Sequence, residues 1–407
     1  MQSINQIKGG VCAPRGFRAS GLHCGIAKSR DKKDLAMIAS DVPCAAAAVY
    51  TKNVVRAAPL EVTRRHLQNG KAQAVVCNSG NANACAAGGE QVARMTCELA
   101  AKALGIKADD IAVASTGVIG VPLDISPIKA NMPRLAESLS ENGSDDCAAA
   151  IMTTDLIKKE IAVEFMLGGK TCKIGAIAKG SGMIHPNMGT MLCFITTDAN
   201  ISSGMLDSAL GVVVDDTFNM VSVDGDTSTN DMAVILANGL AENPRISEES
   251  EEYRIFTEAL GMVCTYLAKM IAKDGEGATK LLECTVSGAA DDNTARLLAK
   301  SVISSSLFKA AMFGADANWG RVLCAMGYSG ARFAPAAVSV SFVSGAGELP
   351  VCKNGEGVAF SEEKAKEVLS ASEIKINISL GEGENTAVAW GCDLTYDYVK
   401  INGDYRS

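Results

Sequence analysis

The stretch Lys173-Ile-Gly-Ala-Ile-Ala178, Lys179-Gly-Ser-Gly-Met-Ile-His-Pro-Asn-Met-Gly189, Thr190, Met191-Leu-Cys-Phe-Ile-Thr-Thr197 reads as two apolar strands joined by a glycine-rich loop. Short continuous apolar runs bounded by glycine and proline are the pattern of strands buried on both faces. Lys179-Gly-Ser-Gly182 carries one cation, and Pro186-Asn-Met-Gly189 predicts a turn directly before Thr190. A Gly–Thr bond at such a junction can hold backbone strain of ~1–3 kcal/mol if its surroundings enforce it. Gly189 also has no Cβ to crowd attack on its own carbonyl carbon. Attack there by the Thr190 hydroxyl would divide the chain and leave Thr190 as a new N-terminus. Its free amine would then lie beside its own hydroxyl, one way of activating a threonine nucleophile. From pattern alone, the plainer reading of these residues is a turn before a buried strand.

Strand-like and helix-like segments alternate on both sides of this loop. Ala74-Val-Val-Cys77 reads as a short buried strand ending in the turn-rich Asn78-Ser-Gly-Asn-Ala-Asn83, and Ile111-Ala-Val-Ala114 as another, running into a loop at Ser115-Thr-Gly117. Gly89 to Leu104 has helical periodicity and stops at Gly105. Glu251 to Lys273 is the clearest helix, with Ile255, Phe256, Ala259, Leu260, Val263, Leu267, Met270 and Ile271 on one stripe. Ala337–Phe342, Ile374–Ile378 and Ala387–Trp390 read as strands in the last third. The class is α/β, sheet packed between helices. The polar segment 131–146 is the one linker candidate.

Composition narrows the function classes. Of 407 residues, 48% are apolar and 21% charged, which excludes a mostly disordered chain. The net charge is −8, and no basic stripe is longer than Lys28-Ser-Arg-Asp-Lys-Lys33, so nucleic acid and anionic membrane are poor partners. No apolar run approaches the ~20 residues of a membrane span. The first ten residues lack the apolar centre of a secretory signal, so a cytoplasmic protein is expected. The 14 cysteines contain no C-x-x-C pair and sit largely in apolar strings, as reduced core residues do. The three histidines, His23, His66 and His185, are too dispersed to suggest a metal cluster.

Several motifs fail on inspection. Leu167-Gly-Gly-Lys-Thr171 ends like a phosphate loop, but Glu164 stands where the first glycine is required. Gly180-Ser-Gly182 lacks its third glycine at His185, and Gly327-Tyr-Ser-Gly330 has the wrong spacing for a nucleophile elbow. Asp224-Gly-Asp-Thr-Ser-Thr-Asn-Asp231 lacks the glycine and closing glutamate of a calcium loop, so Asp224, Asp226 and Asp231 read as turn caps.

The loop Lys179–Leu192 resembles the self-cleavage motif of the ornithine acetyltransferase family, the glutamate N-acetyltransferases of arginine biosynthesis. The resemblance extends over essentially the whole chain. Gly9–Phe17, Asn78–Cys85, Ser115–Gly120, Met152-Thr-Thr-Asp155, Ser222–Asp231, Asp274-Gly-Glu-Gly-Ala-Thr-Lys280, Asn318-Trp-Gly-Arg321 and Tyr398–Ser407 are similar to family blocks in the same order. The family commonly has alanine where this chain has Gly189, and often where it has His185.

The resemblance implies a four-layer αββα sandwich, akin to but distinct from the N-terminal-nucleophile hydrolases. It implies cleavage between Gly189 and Thr190, an α chain of residues 1–189, a β chain of 190–407, and a heterotetramer of two of each. Thr190 would be the nucleophile and Thr116 with Gly117 the oxyanion hole. Thr153, Lys179, Thr190, Glu276, Asn402 and Ser407 would bind substrate, which requires the C-terminal tail to fold back. A lysine suits a carboxylate and a glutamate suits an ammonium group. The implied reaction moves an acetyl group from N2-acetylornithine to glutamate through an acetyl-Thr190 ester, with no metal or cofactor. Acetyl-CoA would enter only as an alternative donor substrate. The competing enzyme reading is a self-cleaving aminopeptidase or amidase with water as acceptor.

Overall fold

The computed structural model describes residues 3–185 and 191–404. Its strands are β1 (Asn5–Ile7), β2 (Phe17–Leu22), β3 (Leu35–Tyr50), β4 (Lys71–Asn81), β5 (Ile111–Val118), β6 (Lys159–Leu167), β7 (Lys170–Lys179), β8 (Leu192–Thr197), β9 (Val221–Ser222), β10 (Met232–Ala237), β11 (Leu281–Ala289), β12 (Ser339–Ser344), β13 (Gly347–Lys353), β14 (Glu356–Gly357), β15 (Glu373–Ser379) and β16 (Asn385–Cys392). The helices are α1 (Ala58–His66), α2 (Gly89–Leu104), α3 (Ser126–Glu137), α4 (Ser144–Ile151), α5 (Ser203–Asp216), α6 (Glu251–Lys273), α7 (Asp292–Ser304), α8 (Ser306–Phe313), α9 (Trp319–Gly327), α10 (Glu362–Leu369) and α11 (Tyr396–Asp404).

Among the described residues the strands form two sheets, as the expected α/β class requires. The first runs β1-β6-β7-β8-β10-β3-β4-β5, with β2 added to β3. The second runs β14-β13-β12-β15-β11-β16-β9. Strand β3 is long enough to serve two partners on the same side: residues 35–40 pair with β2 and residues 45–50 with β10. Strands β8 and β10 are buried at every position, which explains their unbroken apolar reading. In β15 burial alternates, with Ile374, Ile376 and Ile378 inward, as for a strand with one wet face.

Helix α6 ties the two sheets together. Ser250 caps it by accepting a bond from the Tyr253 N–H, Glu251 and Glu252 occupy its positive end, and Lys273 its negative end. Its buried stripe enters one continuous core with residues of both sheets. By length and composition α6 could cross a membrane, contrary to the expectation that no segment approaches that limit. Here it packs on β6 and β7 of the first sheet and touches β11 and β16 of the second.

Three local expectations are corrected. The linker candidate 131–146 lies instead in the end of α3, a short turn and the start of α4. In α3 only Ile128, Met132 and Leu135 are buried, an apolar stripe that polar neighbours and Pro133 obscure. Residues 78–81 continue β4, and Ser115–Val118 continue β5, rather than forming loops, because the two strands pair in parallel through Gly80 and Gly117.

Phe256 is fully buried in α6, with its ring 6.3 Å from that of Phe165 on β6. Phe256→Ala should lower unfolding free energy by ~3–5 kcal/mol, the usual range for a large core truncation, measured by urea denaturation.

Candidate active site

Lys179 of β7 pairs with Leu192 of β8, Leu192 with Met232 of β10, and Met232 with Tyr50 of β3. These residues share one end of the first sheet. There the chain gathers a cavity of about 140 Å³, lined by Thr116, Gly117, Ile119, Thr153, Thr154, Lys179, Gly182, Met183, Ser228, Thr229, Asn230, Glu276 and Asn402. Six of the residues nominated from sequence therefore meet: Thr116, Gly117, Thr153, Lys179, Glu276 and Asn402. Gly189, Thr190 and Ser407 lie outside the described residues.

Thr116 and Gly117 close the end of β5. Gly117 has φ of 130°, and a Cβ on it would overlap the backbone of Gly80 and Asn81, so the close approach of β4 and β5 requires glycine. Asn230 braces this end from the other side: its Nδ2 donates to the Ser115 carbonyl at 2.8 Å and the Ala82 carbonyl at 2.6 Å. Lys179 is only 8% exposed, and its Nζ lies 3.4 Å from Thr116 Oγ1. A buried cation thus faces the hydroxyl of the nominated oxyanion hole.

Glu276 follows the end of α6. Its N–H donates to the Ser181 carbonyl at 2.9 Å, and its Oε2 accepts from Asn402 Nδ2 of α11 at 2.8 Å. The C-terminal helix does fold back on the site. A Cβ on Gly182 would fall inside the Glu276 carboxylate, so the second glycine of Lys179-Gly-Ser-Gly182 makes room for the acid.

The network behind the cavity was not singled out from sequence. Lys159, with no exposed side-chain surface, donates to Asp155 Oδ1 at 2.7 Å and Asp274 Oδ2 at 2.6 Å. Asp155 also accepts from the Gly180 N–H at 2.7 Å and the Thr153 N–H at 3.0 Å. Burial raises the Asp155 carboxyl, but the Lys179 and Lys159 ammonium groups and the bonds from Lys159 and Gly180 outweigh it, holding Asp155 well below the usual carboxylate range. A lysine opening the strand Lys159-Glu-Ile-Ala-Val was the available signal, since a charge at a buried strand position needs partners.

Asp224 does cap backbone, and the backbone it caps belongs to the loop. Its oxygens accept from the Met183 N–H at 2.6 Å and the Ile184 N–H at 2.8 Å, and its charge helps to raise the Tyr398 phenol, whose shift comes mainly from burial. Thr227 Oγ1 donates to the His185 carbonyl at 2.7 Å, while on the far side the Met191 carbonyl accepts from the Met232 N–H at 2.9 Å. Both flanks of residues 186–190 are held. His185 sits against Ser222 Oγ at 3.1 Å, and burial, assisted by Lys300, pushes its pKa down to about 4.

The sequence profile of the ArgJ family matches residues 18–407. This chain belongs to the ArgJ family. It is 55% identical over 405 residues to the arginine biosynthesis bifunctional protein ArgJ of Symbiobacterium thermophilum, covering 98% of this chain and 99% of that one. It is 51% identical over 392 residues to ArgJ 1 of Clostridium acetobutylicum, covering 96% of each. Among solved structures, a chain of the ArgJ protein from Bacillus halodurans is 49% identical with a TM-score of 0.50, matching 52% of this chain and 98% of that chain. Membership in the ArgJ family agrees with the resemblance read from the loop.

The fold is built around neutral His185. Its stabilising contribution is complete above the ordinary imidazole value of 6.5 and is lost as the pH falls through about 4. Thermal melts across this range should show His185→Asn less acid-sensitive than wild type. Gly182→Ala should break the Glu276–Asn402 contact, seen as faster amide exchange in residues 396–404.

Proposed function

We propose that the protein is a self-cleaving acetyltransferase that moves the acetyl group of N2-acetylornithine to glutamate. One observation carries this reading: Thr116, Gly117, Thr153, Lys179, Glu276 and Asn402, drawn from distant parts of the chain, line one small cavity. Its volume is below the ~300–1,000 Å³ of drug-sized sites, which suits an acetylated amino acid. Its wall offers a cation at Lys179 and an anion at Glu276, the complements of an α-carboxylate and a terminal ammonium group.

In the maturation step the Thr190 Oγ attacks the Gly189 carbonyl carbon, and the Gly189–Thr190 C–N bond breaks to leave an ester and a free Thr190 amine. Water then hydrolyses the ester, releasing residues 1–189 with a C-terminal carboxylate and restoring the hydroxyl. Residues 190–407 begin with Thr190. Strands β7 and β8, and β3 and β10, pair across that division, which favours two chains that stay interlocked after cleavage. The half-length Bacillus halodurans chain is consistent with such a division. We assign two copies of each chain to the assembly.

In turnover the Thr190 amine accepts the hydroxyl proton as Oγ adds to the acetyl carbonyl. The Thr116 hydroxyl and Gly117 N–H receive the oxyanion. Collapse expels ornithine with the proton on its α-nitrogen and leaves the acetyl ester on Thr190. The glutamate amine repeats the sequence in reverse, forming N-acetylglutamate and freeing the hydroxyl. Ser407 joins Thr153 and Asn402 in holding the substrate. The relatives are named bifunctional, which favours acetyl-CoA as a second donor to the same ester.

Initial rates over a matrix of acetylornithine and glutamate should give parallel double-reciprocal lines, and ornithine release should depend on glutamate after the first turnover. Steady ornithine release without glutamate would instead indicate an amidase using water. Thr116→Val should lower kcat by ~10²–10³, the usual loss of one oxyanion donor.

A further inference from the structure

Asn230 sits where the ends of two strands meet the cavity. It is only 5% exposed and lines the cavity beside Thr229. Both amide hydrogens and the amide oxygen are engaged: Nδ2 donates to the Ala82 carbonyl at 2.6 Å and the Ser115 carbonyl at 2.8 Å, and Oδ1 accepts from Thr229 Oγ1 at 2.6 Å. Two carbonyl acceptors can be served only by the nitrogen, so the partners fix which way the amide faces and call for asparagine rather than aspartate. Among the described residues β5 has β4 as its one strand partner. At Val113 of β5 the N–H donates to Thr63 Oγ1 of α1 at 2.8 Å, and the carbonyl accepts from the same hydroxyl at 2.7 Å, so position 113 faces the edge away from β4. Backbone groups of successive residues alternate between the two edges of a strand, which puts the Ser115 carbonyl and the Gly117 N–H on that same free edge. The Val118 carbonyl, on the opposite edge, accepts from the Ala82 N–H at 2.9 Å, in keeping with the alternation.

A site for a developing oxyanion needs the positive ends of dipoles, fixed in advance, and a carbonyl oxygen beside it works against the charge. The Ser115 carbonyl precedes the Gly117 N–H along one edge, and Thr63 fixes that edge only at Val113, two residues earlier. We infer that Asn230 is a positioning residue for the oxyanion hole: its amide nitrogen holds the Ser115 and Ala82 carbonyls, and so leaves the Gly117 N–H as the backbone group that meets the developing charge. With both hydrogens and its oxygen bonded within the protein, the Asn230 amide acts through this backbone rather than on the substrate. Thr229 in turn keeps the amide from rotating, through the hydroxyl on Oδ1.

This inference rests on the reading of Thr116 and Gly117 as the oxyanion hole, and the test separates the two. The measurement is first-turnover ornithine release from acetylornithine, without glutamate, on the cleaved enzyme. Its amplitude counts competent sites, so its rate constant does not depend on the fraction of protein that is folded. Asn230→Asp keeps the shape but turns an oxygen toward both carbonyls. It should lower the rate constant by ~10–10²-fold, less than the ~10²–10³ of a lost donor, with half-saturation by acetylornithine near wild type. Asn230→Ala leaves space for water at the two carbonyls and should be the less impaired of the pair. A merely structural role would lower the amplitude and leave the rate constant of Asn230→Asp at the wild-type value, and a packing role would make Asn230→Ala the slower variant; either result overturns the inference. Where Asn230→Asp does not fold or cleave, Thr229→Val takes its place. Losing one hydrogen bond on the amide should slow its first turnover about fivefold, and an unchanged rate constant would overturn the inference. Thr116→Val reports on the underlying reading: if its rate constant matches wild type, the oxyanion assignment itself fails, whereas a slow Thr116→Val beside an Asn230→Asp at the wild-type rate rejects only the role of Asn230.

Discussion

The ammonium group of Lys159, shut away from water between Asp155 and Asp274, is the constraint on which the site depends. Such a triad adds little net stability over well-packed apolar groups, yet breaking it costs about 3–5 kcal/mol, because the remaining charges stay buried. Its use here is geometric. Asp274 ends α6, and Glu276 follows two residues later. Asp155 adjoins Thr153 and receives the Gly180 N–H. One lysine therefore relates the start of the central loop, the threonine after α4 and the acid after α6. Asp155 and Asp274, the extremes of the triad, lie 119 residues apart in sequence. The Leu156 N–H, which donates to Asp274, and the Glu276 N–H, which donates to the Ser181 carbonyl, add to the same hold.

The central loop is held as a suspended span. Asp155 grips Gly180, Asp224 grips Met183 and Ile184, Thr227 grips His185, and the sheet takes over at Met191. The first three supports are carboxylates and a hydroxyl from other parts of the chain, and the last is the Met232 N–H, which donates to the Met191 carbonyl. Backbone strain survives only where surroundings over-determine it, and this arrangement supplies that condition on both sides of residues 186–190. The same carboxylate at Asp224 acts electrostatically on Tyr398 of α11, and Asn402 of that helix bonds Glu276. The C-terminal helix and the loop thus share supports.

Much of this was legible in the chain. The extent of α6 follows from its apolar period, and that of α2 from its period and Gly105, because local periodicity and capping decide helix ends. The pairing of β7 with β8 follows from two apolar runs flanking one glycine-rich loop. Residues in recognisable blocks, such as Thr116, Lys179 and Glu276, could be nominated, and the fold does gather them. The Lys159 triad was legible only as a charge at a buried strand position that needs partners, since nothing local links Lys159 to Asp274, 115 positions on. The extension of β4 and β5 through Asn81 and Val118 was hidden for a related reason. Asn78-Ser-Gly-Asn81 has the composition of a turn, and only the parallel partner across Gly80 and Gly117 makes it strand.

The account turns on whether the chain divides itself at the loop these supports hold. Intact mass spectrometry of the denatured protein, beside a Thr190→Ala variant, tests this most directly. The account predicts two polypeptides ending at Gly189 and beginning at Thr190 for wild type, and one 42.2 kDa chain for the variant. A wild-type protein that stays whole at 42.2 kDa while transferring acetyl groups at full rate would contradict it.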